Sequence, residues 1–293
     1  VLHTLFSGSS ARLRHWLSIC PRNQQTTLDT HDGLGTVDVV DLLSPEELQA
    51  VVRQTEQYGA NFKWDYSSGN SGEKVVYQIN CSYYSAVGER DDSYLLSRAI
   101  QFFTPGIPQV YYMGLLAGEN DYELMERTNY DRNISRHNYT IEEIDRLVEK
   151  PVVKNLCVMM QFRNEYPVFD GEMTVHDAPD EHLWISWKEG QYRADLKANL
   201  KDHSFVITYL ITGNTLEAVK RSVYLAQQGK TVLLAVEETF LAADIGSFLN
   251  CESRAEWRAF FQDSLWENGY LHPDGYKKYL EQLCREQGAA FLY

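Results

Sequence analysis

The passage from Tyr94 to Tyr112 constrains this chain more than any other. Tyr94–Phe103 reads as a helix, and Thr104-Pro105-Gly106 must end it, because proline cannot continue a helix. Ile107–Tyr112 (IPQVYY) follows at once, with the length and the β-branched or aromatic character of a buried strand. A helix passing so abruptly into a buried strand belongs to an α/β arrangement. The same mixture runs through residues 1–167. Ser44-Pro45-Glu46-Glu47 opens a second helix, with Ser at the N-cap, Pro at the first position and Glu47 three residues on. Leu48, Val51 and Val52 then fall at helical spacing. Thr140-Ile141-Glu142-Glu143 repeats the capping box before another helix, and Val152–Asn164 reads as an amphipathic one. Asn61–Lys74, rich in Ser and Gly, reads as a loop.

The texture changes twice more. Glu172–His176, Leu183–Lys188, Tyr192–Leu200 and Phe205–Tyr209 are short alternating or apolar runs separated by Gly, Pro and Asp. That pattern predicts antiparallel strands in a small β-domain over residues 168–209. From residue 210 an apolar run reaching Ile211 meets Thr212-Gly213-Asn214. A helix through Gln228 and a second strand over Thr231–Glu237 complete a βαβ unit. Helix-like runs follow around Ala255–Phe261 and Gly275–Glu286.

Charge narrows the functional classes. With 27 Lys plus Arg against 41 Asp plus Glu, the chain carries a formal charge of −14. Nothing would offset phosphate repulsion, so neither nucleic acid nor anionic lipid is the expected partner. The longest apolar runs, such as Val232–Val236, are far too short to span a membrane. Five scattered cysteines (Cys20, Cys81, Cys157, Cys251, Cys284) form no C-x-x-C pair and read as reduced thiols. Asn80, Asn133 and Asn138 each open a glycosylation triplet short enough to recur by chance. No signal peptide precedes them, so a cytoplasmic location is expected. The first residue, Val1, hints that the chain starts inside a longer protein.

Three segments have the residue types for chemistry. Thr26–Asp29 looks like a buried strand, and the polar cluster Asp29-Thr30-His31-Asp32-Gly33 follows it. Parallel sheets and barrels carry functional groups at such carboxyl ends. A His beside two carboxylates can bind sugar hydroxyls and stabilise positive charge, although an ordinary strand-end turn would read the same way. Tyr77-Gln78-Ile79-Asn80, with Tyr83 and Tyr84 beyond, offers rings and amides suited to a sugar, or simply a Tyr-rich half-buried strand. Thr128–His137 (TNYDRNISRH) brings Arg132, Arg136 and His137 into one polar loop. Guanidinium groups hold phosphate or carboxylate through paired bonds, though a solvated loop is equally consistent.

Taken in order, LDTHDGLG, YQINCSYYSA, RAIQFFTPGIPQVYYMGLLAGEND and RNISRHNYT resemble the C-terminal half of a sucrose phosphorylase. That family comprises retaining glucoside phosphorylases of the α-amylase superfamily (glycoside hydrolase family 13), built on a TIM barrel. The resemblance covers roughly residues 1–209 and implies an α/β fold. Residues 1–167 would be the C-terminal portion of the (β/α)8 barrel, with strands 7 and 8, and residues 168–209 a small antiparallel β-domain. It also implies that Asp32 is the transition-state stabiliser and that His31 contacts the glucosyl hydroxyls. Tyr77 and Gln78 would lie on a mobile loop at the acceptor side, Arg132 would help accept phosphate, and Arg136 is its neighbouring candidate. The implied partners are sucrose or a related α-glucoside and inorganic phosphate, with no metal or organic cofactor; a homodimer stays open for the full-length enzyme.

Two departures accompany the resemblance. A retaining mechanism needs a nucleophile and an acid/base about 5–5.5 Å apart, and the family carries both upstream of the His-Asp pair. The 28 residues before Asp29 contain no acid, so the chain reads as a fragment, inactive alone. By the same resemblance Asn61–Lys74 is shorter than the matching loop in some relatives, and Val75 stands where certain members have an acid. Fructose as acceptor is therefore in doubt, with glucosylglycerate or glucosylglycerol as replacements.

Residues 210–293 resemble something else. TGNTLEAVKRSVYLAQQGKTVLLAVEET is similar to the opening βαβ of FAD-dependent oxidoreductases, a Rossmann-like unit, with Glu237 where the ribose-binding acid belongs. Only Gly213 remains of the glycine-rich turn, and Glu217 at the helix start would repel a diphosphate. Cofactor binding is therefore not expected; a flavin oxidoreductase fragment and a non-enzymatic remnant are the alternative readings.

Overall fold

The computed structural model describes residues 1–65, 75–212, 216–227, 232–235, 266–267, 270–271, 273–287 and 290–292. It is a mixed α/β chain that divides into two compact units. The first comprises Val1–Tyr166, Thr174–Ile185 and Leu196–Phe205; the second comprises Pro167–Met173, Ser186–Asp195 and Val206–Tyr293.

The first unit opens with two helices that the sequence reading left unassigned, α1 (Leu2–Ser7) and α2 (Ala11–Ile19). Strand β1 (Gln25–Thr27) follows and pairs in parallel with β5 (Ile107–Gln109), placing Thr27 opposite Gln109. Both strands are shorter than expected. The chain leaves β1 before Asp29, and Tyr112, expected at the end of the second strand, instead opens the short helix α6 (Tyr112–Leu115). Between these strands lie β2 (Leu34–Gly35), α3 (Pro45–Gln57), β3 (Asn61–Asp65), β4 (Val75–Asn80), α4 (Tyr83–Ala86) and α5 (Asp91–Phe103).

Helix α3 begins where its sequence requires. The Ser44 hydroxyl accepts from the Glu47 N–H, and the Glu47 carboxylate accepts from the Ser44 N–H at 2.7 Å. A cap of this kind stabilises a helix by about 1 kcal/mol. Helix α5 is buried nearly all round, as its composition demands, and ends at Phe103 before Pro105. Phe103 packs on Phe162 of α9 (Pro151–Glu165), with ring centroids 6.1 Å apart.

One expectation is corrected. Asn61–Asp65 is not loop but strand β3, antiparallel to β4 with Asn61 opposite Asn80. Strands β2, β4 and β3 form a three-stranded sheet in that order. Polar residues at both ends of NFKWD hide the alternation, and what makes it a strand is its pairing with the next strand, β4. Residues 66–74 of the expected loop lie outside the described residues.

Further along are α7 (Tyr122–Thr128), a 3-10 turn over Asp131–Ser135, and α8 (Ile141–Leu147), which carries the expected Thr140–Glu143 capping box. Strands β6 (Glu172–Val175), β7 (His182–Glu189), β8 (Tyr192–Asn199) and β9 (Phe205–Thr212) are where the sequence places strands. Only Gly190-Gln191 joins β7 to β8, with Gly190 left-handed at φ 54°, and such a link fits an antiparallel hairpin. The β-α-β expectation also holds. Helix α10 (Leu216–Gln227) connects β9 to β10 (Val232–Ala235), and the two strands pair in parallel with Leu210 opposite Leu233. Strand β9 therefore runs across residues 209 and 210, where the sequence changes texture. A last helix, Pro273–Glu286, covers the expected Gly275–Glu286 run, whereas Ala255–Phe261 lies outside the described residues.

Candidate functional site

The turn after β1 gathers five of the six residues singled out from sequence. Thr30 shapes it, its hydroxyl accepting from the Asp32 N–H at 3.1 Å and donating to the Gly33 carbonyl at 3.3 Å. Gly33 holds φ 94°, and a Cβ there would stand 2.6 Å from the Ile79 carbonyl oxygen. Only glycine combines that backbone with that closeness. The chain then enters β2, whose Leu34 and Gly35 pair with Ile79 and Gln78 of β4.

Asp32 stands at the centre with its side chain 44% exposed. Arg132 Nη1 donates to Asp32 Oδ1 at 2.6 Å, and Arg136 Nη2 lies 3.5 Å from the same oxygen. Arg136 also donates from Nε to the His31 carbonyl at 2.8 Å. His31 Nε2 is 3.5 Å from Asp32 Oδ2, with its ring largely exposed. The 128–137 loop thus folds back onto the β1 turn, and paired charges at hydrogen-bonding distance are the strong kind.

Tyr77 and Gln78 differ from expectation. They lie on strand β4, not on a loop. Gln78 is buried, and its amide donates to the Asp32 main-chain carbonyl, so it holds the turn in place. Its Oε1, and Oδ1 of Asn80 on the same face of the strand, are buried and accept from no described residue. Tyr77, next along β4, is the one singled-out residue without a contact to Asp32; Lys63 Nζ lies 5.3 Å from its ring centroid.

Two groups beneath this surface were not found from sequence. His137, noted in the loop but given no role, anchors its far end: Nδ1 lies 2.6 Å from Asp121 Oδ2 and Nε2 lies 3.5 Å from Glu143 Oε1. Its carbonyl accepts from the Tyr112 hydroxyl at 2.8 Å. A hydrogen bond from the Thr140 N–H, and then the nearby His137, hold the Glu143 carboxyl below the usual glutamate range. The second group is a buried pair, Arg98 Nη2 to Asp29 Oδ2 at 2.6 Å. Burial opposes the Arg98 charge, but Tyr94 and Asp29 outweigh it and raise the guanidinium further. Burial pushes the Tyr94 hydroxyl up to about 12. The available signal was an Arg among the apolar residues of LLSRAIQFF.

A separate cleft of about 480 Å³ is lined by Leu13, Trp16, Leu34 and Tyr83, with His3, Arg12 and Asp38 also on its wall, and includes neither Asp32 nor Arg132 and Arg136. Among the described residues no cluster of three or more His, Cys, Asp or Glu could hold a metal ion, and no helix is long and apolar enough to cross a membrane.

Comparison with known proteins decides the family. No family model matches the chain. It is 44% identical over 217 residues to a sucrose phosphorylase of Streptococcus mutans, covering 73% of this chain and 44% of that protein. It is 41% identical over 218 residues to a glucosylglycerol phosphorylase of Marinobacter adhaerens, covering 73% of this chain and 45% of that protein. The crystal structure of sucrose 6F-phosphate phosphorylase from Thermoanaerobacter thermosaccharolyticum superposes with a TM-score of 0.69 at 44% identity, over 71% of this chain and 43% of that one. The chain belongs to the sucrose phosphorylase family. It spans less than half the length of these phosphorylases, at most 45%. Membership lends the flavin reading no support. Gly213, Asn214 and Glu237, on which that reading turned, lie outside the described residues, as does any account of the Glu217 side chain.

Proposed function

We propose that this chain supplies the C-terminal part of a retaining glucoside phosphorylase, with Asp32 as its transition-state stabiliser. In this reading residues 1–167 complete a TIM barrel, 168–209 form its β-domain, and 210–293 are an appended Rossmann-like segment. The observation that carries the proposal is the Asp32 carboxylate, set beyond the end of a parallel strand and ringed by Arg132, Arg136 and His31.

The chemistry follows from that placement. A carboxylate nucleophile attacks C1 of the glucosyl unit while a carboxylic acid protonates the departing oxygen, giving a glucosyl ester. Phosphate oxygen then attacks C1, the ester breaks, and α-glucose 1-phosphate leaves. Positive charge builds at C1 in both steps, and a fixed carboxylate such as Asp32 stabilises it. The arginines, bound to that same carboxylate, stand ready to take the anionic oxygens of phosphate. His31 has its ring open to sugar hydroxyls, and the unused acceptors of Gln78 and Asn80 lie behind the turn. The nucleophile and the acid/base come from sequence outside this chain. Substrates are sucrose or a related α-glucoside plus phosphate. The reading carries with it a cytoplasmic location and no nucleic acid or membrane, and it leaves a homodimer open for the full-length enzyme.

The test is a hybrid joining the N-terminal half of the Streptococcus mutans sucrose phosphorylase to this chain. Phosphate-dependent release of glucose 1-phosphate from sucrose or glucosylglycerol, abolished by Asp32→Ala, is the expected result. A folded hybrid that bound these sugars yet turned over equally well with Asp32→Ala would refute the assignment.

A further inference from the structure

Arg98 has no part in the proposed chemistry, yet it is the largest fully buried side chain in the described structure. Its guanidinium uses every arm. Nε and one Nη donate to the Tyr94 hydroxyl at 3.1 and 3.0 Å, Nη1 to Gln101 Oε1 at 2.9 Å, and Nη2 to Asp29 at 2.6 Å. Gln101 continues the network, its amide donating to the carbonyls of Thr26 at 3.0 Å and Gln109 at 2.8 Å. Tyr94 in turn donates to the Gly114 carbonyl, and Asp29 Oδ1 accepts from the Tyr111 N–H at 3.4 Å. Gly114 is tight against the pair, since a Cβ there would collide with both Asp29 and Arg98.

These bonds run to both parallel strands and to the segments leaving them. Asp29 is three residues from Asp32, and Tyr111 and Gly114 follow β5. A buried ion pair is a poor source of net stability, because desolvating two charges offsets most of their attraction. What a guanidinium bonded at all three nitrogens does provide is a fixed geometry. We infer that Arg98 is a positioning residue for Asp32, acting through Asp29 and Gln101 to lock the exits of β1 and β5 to α5. The inference rests on Asp32 being the functional carboxylate of this site.

Amide hydrogen exchange on the 293-residue chain tests it without turnover, so its outcome is independent of the glucose 1-phosphate assay. Two variants are compared: Arg98→Lys, which keeps the charge but loses the fork, and Gln101→Met, which keeps the ion pair but frees the Thr26 and Gln109 carbonyls. Residues 29–36 and 110–114 should exchange about tenfold faster in both, while His182–Asn199 keeps its protection. The Arg132 guanidinium N–H signals, slowed by the Asp32 bond, should also lose their slow exchange by NMR. Unchanged protection of 29–36 with an unchanged Arg132 signal in both variants would overturn the inference. So would a uniform loss of protection along the whole chain in both variants, which would make the network merely structural.

Discussion

Arg132 reaches across 100 residues of sequence to donate from Nη1 to Asp32 Oδ1 at 2.6 Å. The two charges are only partly buried, at 26% and 44% exposure, so solvent reaches the pair. Their functions should separate in the hybrid enzyme. Asp32→Ala should slow glucosyl transfer about a hundred- to a thousandfold, the usual consequence of removing a fixed transition-state stabiliser. Arg132→Ala should weaken phosphate use more than formation of the glucosyl ester. Rapid-quench measurement of both steps checks this, and equal losses would show that Arg132 is not an anion ligand.

The turn that presents Asp32 depends on Gly33. An L side chain at φ 94° is strained, and its Cβ would meet the Ile79 carbonyl at 2.6 Å. Gly33→Ala should therefore destabilise the fold by about 1–2 kcal/mol or more, the ordinary cost of a left-handed residue plus the clash. Chemical denaturation reads the loss. A variant as stable as the parent would mean that the turn relaxes freely and does not fix Asp32.

How far the sequence discloses this arrangement depends on the range of the interaction. The capping boxes at Ser44 and Thr140 lie within four residues, so local sequence alone places them. The alternating runs of β7 and β8 and the elements of the β9-α10-β10 unit are legible because each carries its own apolar pattern. Strand β3 is not, because NFKWD becomes a strand only by pairing with β4 across the intervening chain. Asp32, Arg132 and Arg136 are each visible as charged residues in polar segments, but nothing short of the fold brings them together. Arg98 is the clearest omission: a lone Arg on a helix reads as a solvent-facing charge, and only packing on every side reveals it as buried.

Strands β1 and β5 pair only with each other among the described residues. Parallel strands seldom stand as a pair, and each leaves an edge of main-chain groups open to another strand. Ile107 on β5 is 75% exposed. The isolated polypeptide should associate as its concentration rises, and light scattering over a dilution series measures this. A monodisperse monomer with one cooperative melt would show that these edges are adequately covered.

The cysteines offer a chemical check on the burial pattern. Burial pushes the Cys81 thiol up to about 12 and the Cys284 thiol up to about 11, whereas Cys157 lies exposed on α9. Iodoacetamide at pH 8 should alkylate Cys157 first, leaving Cys81 and Cys284 unmodified until denaturant is added. Peptide mass spectrometry distinguishes the sites. Early modification of Cys81 would place the cluster it shares with Val51, Val76 and Ile79 within reach of solvent.

Acid should loosen the first turn of α5, where Asp92 lies. A hydrogen bond from Arg90, at 2.7 Å, holds the Asp92 carboxyl at about 2, well below the ordinary aspartate value of 3.8. A carboxyl lowered by folding stabilises the native state fully above its unfolded value, and that contribution disappears as pH falls through the native one. The window is therefore about pH 4 down to pH 2. Because the group is 44% exposed, solvent screening keeps the contribution small. Amide exchange at Asp91–Leu95 should rise across that interval, corrected for the intrinsic effect of pH. Asp92→Asn should remove this pH dependence, leaving the α5 N-terminus equally protected at pH 5 and pH 2; a dependence as steep as the parent's would assign the effect to another carboxyl.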